Sequence, residues 1–101
     1  MSGLYRAAGE IDIATAGGFR DGLYEAVDGS RWARVVVDCS AVEFMDSSAF
    51  HALVAATEYA ARRGRTLVIR GARELHEELL RICDFDGDLN IEAVNSPVNA
   101  P

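Results

Sequence analysis

Three consecutive polar residues, Asp46-Ser47-Ser48, follow an apolar run (Arg34 to Val37, then Asp38-Cys39-Ser40-Ala41-Val42-Glu43-Phe44-Met45) and precede a helical pattern. A hydroxyl beside a carboxylate at a helix start has two readings. Backbone N–H groups there lack intrahelical partners and favour an anion, so the triplet is either a plain cap or the seat of a phosphorylation switch. Thr15 offers a second cap. Asp12 either organises a turn or shapes a partner surface.

Other chemistry is poorly supported. His51 and His76 do not combine with Cys39 and Cys83 at a zinc spacing. His51, one turn from Ser47, reads as an exposed histidine or a phosphate contact. Asp84, Asp86 and Asp88 have a misplaced glycine, Gly87, and no closing glutamate, so they do not make a calcium loop. No metal and no cofactor is expected. The two cysteines read as reduced, partly buried thiols, with a redox pair near element ends as the alternative. There is no Gly-x-Ser-x-Gly elbow and no phosphate-cradling glycine loop, so the chain does not read as an enzyme.

The elements that would position these residues can be read from periodicity. Leu4 to Ala8 is extended, and Ile11 and Ile13 alternate as a strand end with both side chains on one face. Phe19, Leu23 and Val27 recur every fourth residue, one face of a helix that Gly17, Gly18 and Gly22 weaken and that Asp28-Gly29-Ser30 stops. Val35-Val36-Val37 is a strand covered on both faces. Phe50, Leu53, Val54 and Thr57 mark a second helix, extended by Ala60 and Ala61, with Gly64 as its C-cap glycine. Thr66 to Ile69 is another buried strand, and Gly71 a turn. Leu75, Leu79 and Ile82 mark a third helix, Leu89 to Val94 a last strand, and residues 95–101 a flexible tail after a single domain at 1–94. Strands alternating with helices imply an α/β layer structure.

Sixteen acidic against ten basic side chains give a net charge of -6 over 101 residues. That balance disfavours nucleic acid and anionic membrane as general partners. Arg62, Arg63 and Arg65 read as charge complementation at a helix end or as a small basic patch. With no spanning run and no secretory leader pattern, a cytoplasmic location is expected.

Gly9-Glu10-Ile11-Asp12-Ile13-Ala14-Thr15-Ala16, Val35-Val36-Val37-Asp38 and Phe44-Met45-Asp46-Ser47-Ser48-Ala49 together resemble the STAS domain of bacterial anti-sigma factor antagonists. The likeness runs on through Arg63 to Ile69 and Leu79 to Phe85. The resemblance implies a STAS-like α/β fold, a mixed sheet of about four strands with helices packed on it. It also implies a site: Ser47 phosphorylated by an anti-sigma factor serine kinase that itself holds ATP, with Asp12, Asp46, Ser47, Ser48, Ala49 and Phe50 as the contact surface. A metal-dependent phosphatase would reset the serine. Unphosphorylated, the protein would capture the kinase and free a sigma factor; phosphorylated, it would let go. The alternatives are an adaptor that is never phosphorylated and an antagonist regulated through Cys39 and Cys83. The chain departs from the family in having Ala49 for the usual glycine and Phe50 for an aliphatic residue. The family's additional first strand has no match before Leu4: the expectation is either a truncated start, or a sheet with one strand fewer whose exposed edge pairs with a second copy in a homodimer.

Overall fold

A computed structural model describes residues 1–71 and 89–91. The described elements alternate as β1 (Gly3–Ile11), α1 (Ala16–Gly29), β2 (Arg34–Met45), α2 (Ser47–Arg62) and β3 (Thr66–Arg70). The strands lie side by side in the order β1-β2-β3, and both pairings are parallel. Beyond β3, Ile91 bridges Ile69, again in parallel. That single bridge adds a fourth position beside β3; the antiparallel member of the expected mixed sheet is not among the described residues. The expected third helix, the acidic run at 84–88 and the tail at 95–101 lie outside them.

β2 is the structural centre. Val35, Val36 and Val37 are all buried, as a continuous β-branched run predicts. Farther along, burial changes period, and Cys39, Val42 and Met45 are buried at every third residue. The cause is two irregularities in the ladder: Arg6 pairs with Asp38 but Ala8 with Ala41, and Gly9 pairs with Val42 but Glu10 with Phe44. Each gives β2 one residue more than β1 uses. A bulge of this kind bends the strand and re-aims its side chains. Here it keeps three apolar side chains on the core face and carries β2 to Met45, level with Ile11.

The two helices bury the stripes their spacing predicts, with adjustments. Phe19, Leu23 and Val27 of α1 are in the core. The buried stripe of α2 is Ala49, Phe50, Ala52, Leu53, Ala56 and Ala60. Val54 and Thr57 are only half-buried, and Ala61 is exposed. The alanines keep the α1-facing side of α2 slim, while the Thr57 hydroxyl donates to the Leu53 carbonyl at 2.8 Å instead of packing. Gly22 has a steric role: a Cβ there would sit 2.8 Å from the Tyr5 hydroxyl oxygen. Its absence lets Tyr5 of β1 reach up to α1, where its ring lies 6.1 Å from that of Phe19.

α2 ends as its sequence predicts. Gly64 has φ +71°, its N–H donates to Ala61, and the Arg65 N–H donates to Ala60. That is the paired Schellman arrangement, which requires a residue at home in the left-handed region. The arginines here act as fasteners. Arg63 lies 3.0 Å from Asp28 and 3.6 Å over the Tyr59 ring, which stacks on Tyr24 at 4.0 Å. Arg65 donates to the Ser30 carbonyl at 2.7 Å. These contacts tie the C-terminal end of α2 to that of α1.

Candidate functional site

Parallel strands send all their C-terminal ends to one edge of the sheet, the usual place for a binding site in an α/β layer. β1 and β2 end together there, with Ile11 opposite Met45. One residue further, the Asp46 N–H donates to the Ile11 carbonyl at 3.2 Å. The β1–α1 turn carrying Asp12 is thereby held next to the start of α2.

Asp46 is the N-cap of α2. Its backbone is extended (φ -108°, ψ -170°), and its Oδ1 accepts from the N–H groups of Ser48 at 2.9 Å and Ala49 at 3.4 Å. The plain reading of this aspartate is therefore correct at the level of geometry. Ser47 and Ser48 are the first two helical residues and do not form a loop. Ser47 is exposed, and its hydroxyl makes no hydrogen bond with another described residue. Ser48 is half-buried; its amide is capped, and it does no capping itself.

Asp12 builds its own turn. Its Oδ1 accepts from the amides of Ala14 at 3.0 Å and Thr15 at 3.2 Å, and its carbonyl accepts from Ala16 at 2.7 Å. Thr15 occupies the N-cap position of α1 but does not cap with its side chain. Instead the Asp12 N–H donates back to the Thr15 hydroxyl at 3.0 Å. The strand is thus closed at Ile11, and Ile13 does not share its face: Ile11 is 4% exposed, Ile13 82%.

Two residues assigned to the contact surface are elsewhere. Ala49 and Phe50 are 0% and 1% exposed and belong to the central core. A helix turns 100° per residue, so Ala49, two steps from the exposed Ser47, faces inward, and Phe50 joins Leu53 in the buried stripe of α2. Cys39 is also displaced from its expected position near an element end. It lies inside β2, is 1% exposed, and burial pushes its thiol pKa up to about 12. Cys83 is outside the described residues.

Sequence reasoning missed three features at this end of the sheet. Phe44, two residues before the cap, is 46% exposed on the bulged end of β2. Ile13, in the β1–α1 turn, is the second large apolar side chain exposed at these strand ends. The third is a groove of about 170 Å³ between α1 and α2, lined by Ala16, Gly17, Arg20, Ser48, His51 and Ala52 among others. It brings Arg20 and His51 to the same helix start as Ser48. Arg20 carried no motif signal, because its relation to α2 depends on helix packing.

The STAS domain family model matches residues 2–95. The chain belongs to the STAS domain family. No curated protein matches it in sequence. Among solved structures, this STAS domain is similar to an anti-sigma factor antagonist from Mycobacterium paratuberculosis, at 20% identity and TM-score 0.76, covering 98% of this chain and 84% of that one. It is also similar to the phosphorylated form of the Bacillus cell fate determinant SpoIIAA, at 12% identity and TM-score 0.63, covering 98% and 89%. A sulfate transporter family protein from Wolinella succinogenes matches at 17% identity and TM-score 0.70, covering 98% and 83%. At these identities the likeness establishes the fold.

Proposed function

We propose that this STAS domain is a cytoplasmic anti-sigma factor antagonist that binds a serine kinase while Ser47 is unmodified and releases it once Ser47 carries a phosphate. The observation that carries the reading is the placement of Ser47: exposed, hydroxyl uncommitted, on the first turn of α2, directly after the capping Asp46. The kinase holds ATP and transfers its γ-phosphoryl group to the Ser47 Oγ; the hydroxyl proton leaves and ADP is released. A metal-dependent phosphatase reverses the change.

The physics suits a switch that alters binding and leaves the fold intact. Phosphate adds a charge of about -1.5 to -2, and a helix N-terminus tolerates it. Asp46 and Asp12 make the same surface more negative, so a partner fitted to a neutral serine meets repulsion and unpaired desolvation together. A difference of about 3 kcal/mol already weakens binding more than a hundredfold. Asp12, Asp46, Ser47 and Ser48 form the polar part of the contact, and Ile13 and Phe44 its apolar part. Ala49 and Phe50 act beneath the surface by fixing α2.

The test is kinase affinity for the unmodified protein, Ser47→Ala and Ser47→Asp. Ser47→Ala keeps full affinity and Ser47→Asp loses more than a hundredfold. Equal affinity for all three favours the adaptor reading. The redox reading loses ground because Cys39 is buried with a raised pKa.

A further inference from the structure

β1 pairs with β2 on one side and with no other strand among the described residues. An open strand edge presents a row of N–H and C=O groups ready for another strand. What sets this edge apart is its charge pattern. Leu4, Arg6, Ala8 and Glu10 are exposed on one face, while Tyr5, Ala7, Gly9 and Ile11 are half-buried or buried on the other. Arg6 and Glu10 are thus opposite charges on one face, placed symmetrically about Ala8. Neither forms an ion pair with another described residue.

A sequence with that symmetry complements itself. In an antiparallel pair of identical strands related by a two-fold axis at Ala8, Arg6 faces Glu10 of the second copy, and Glu10 faces its Arg6. Centring the axis on Ala7 leaves both charges opposite neutral residues. Centring it on Gly9 shortens the overlap and sets Arg6 against Asp12, which is already in the turn. The Ala8 register also suits the core side. It sets Tyr5 against Ile11 of the second copy, an aromatic against a β-branched residue, which is a favourable cross-strand pair. Both residues line a groove of about 330 Å³ that runs beside the edge beneath Phe19. Gly9, with φ +77°, bends the edge at a point with nothing within 4 Å of a Cβ. It faces Ala7 of the second copy, a small residue.

We propose that the protein forms a two-fold homodimer through antiparallel pairing of β1 with β1 about Ala8, with Arg6–Glu10 contacts made twice. An isologous contact of this kind uses one patch on both copies and closes. At roughly 3.3 Å per residue, the two Ile11 ends stand about 20 Å apart, facing opposite ways. Ser47 lies on α2, outside the paired strands, and the β1 pairing does not require the kinase reading.

The experiment is sedimentation velocity across a concentration series on the full chain and on Arg6→Glu, Glu10→Arg and the double variant, with circular dichroism to show that each folds. The unmodified protein dimerises. Each single change places like charges opposite one another at two positions and weakens the dimer by about tenfold. The double variant restores it, and mixing the two single variants yields a mixed dimer. A monomer at every concentration overturns the proposal, as does a dimer indifferent to the single changes or a double variant no better than either single one.

Discussion

The Asp46 amide donates to the Ile11 carbonyl at 3.2 Å, joining the ends of two parallel strands one residue beyond their last paired positions. This bond makes one surface out of two segments far apart in sequence. It depends on the bulges of β2, since without their extra residues Met45 would not be level with Ile11. The bulges therefore belong to the site: they deliver the cap of α2 to the turn built by Asp12.

Capping by Asp46 contributes to stability as well as to the surface. Replacing it by alanine removes the acceptor for two amides and lowers unfolding free energy by about 1 kcal/mol. Asp46→Asn keeps an acceptor and loses little. Urea unfolding separates the two. If Asp46→Asn weakens kinase binding without destabilising the fold, the carboxylate charge itself is part of the contact; equal stability losses in both variants would contradict the capping account.

Phe50 is a core residue, and its replacement behaves like one. Phe50→Ala costs about 3–5 kcal/mol, a large part of the stability of a domain this size, while Phe50→Leu costs much less. Denaturant midpoints measure both. Kinase binding by Phe50→Leu stays near normal at temperatures where it is folded. A large binding loss in a stably folded Phe50→Leu would return the side chain to the contact surface.

Cys39 is chemically silent in the folded protein. At neutral pH its thiol, buried and with its pKa pushed up to about 12, resists alkylation until denaturant is added, as mass spectrometry of labelled protein can show. The linkage has a definite sign. The folded pKa lies above the ordinary 9.0, so the folded state holds the proton more tightly. This contribution is complete below about pH 9 and is lost as pH rises toward 12. Cys39→Ala flattens that alkaline decline in the urea midpoint. Rapid labelling of the native thiol would contradict the burial argument.

Much of the frame was legible in the sequence. Phe19, Leu23 and Val27 stand out at helical spacing, Val35 to Val37 as a doubly buried strand, and Gly64 as a C-cap, because each depends on local chemistry alone. The second half of β2 was not legible. Its bulges make burial recur every third residue, a period that matches neither strand nor helix. The same blindness misplaced Ile13, since nothing local shows that Asp12 turns its carboxylate onto Ala14 and Thr15 and ends the strand. Phe50 was misjudged for a related reason. It lies one helical turn from Ser47, and only the tertiary packing of α2, which the local sequence does not show, puts it in the core. His51 and Ser48 are one turn apart on α2, but Arg20 joins them in the groove only through packing of α1 on α2, which no single segment encodes.

The most direct measurement is phosphosite mapping of the protein incubated with ATP and candidate anti-sigma kinases, using intact mass and peptide sequencing, with Ser47→Ala alongside. The account predicts a single phosphate on Ser47, absent from the variant, and release of the kinase as it accumulates. A kinase that binds the protein yet leaves Ser47 unmodified, or that phosphorylates another residue equally well in Ser47→Ala, would contradict it.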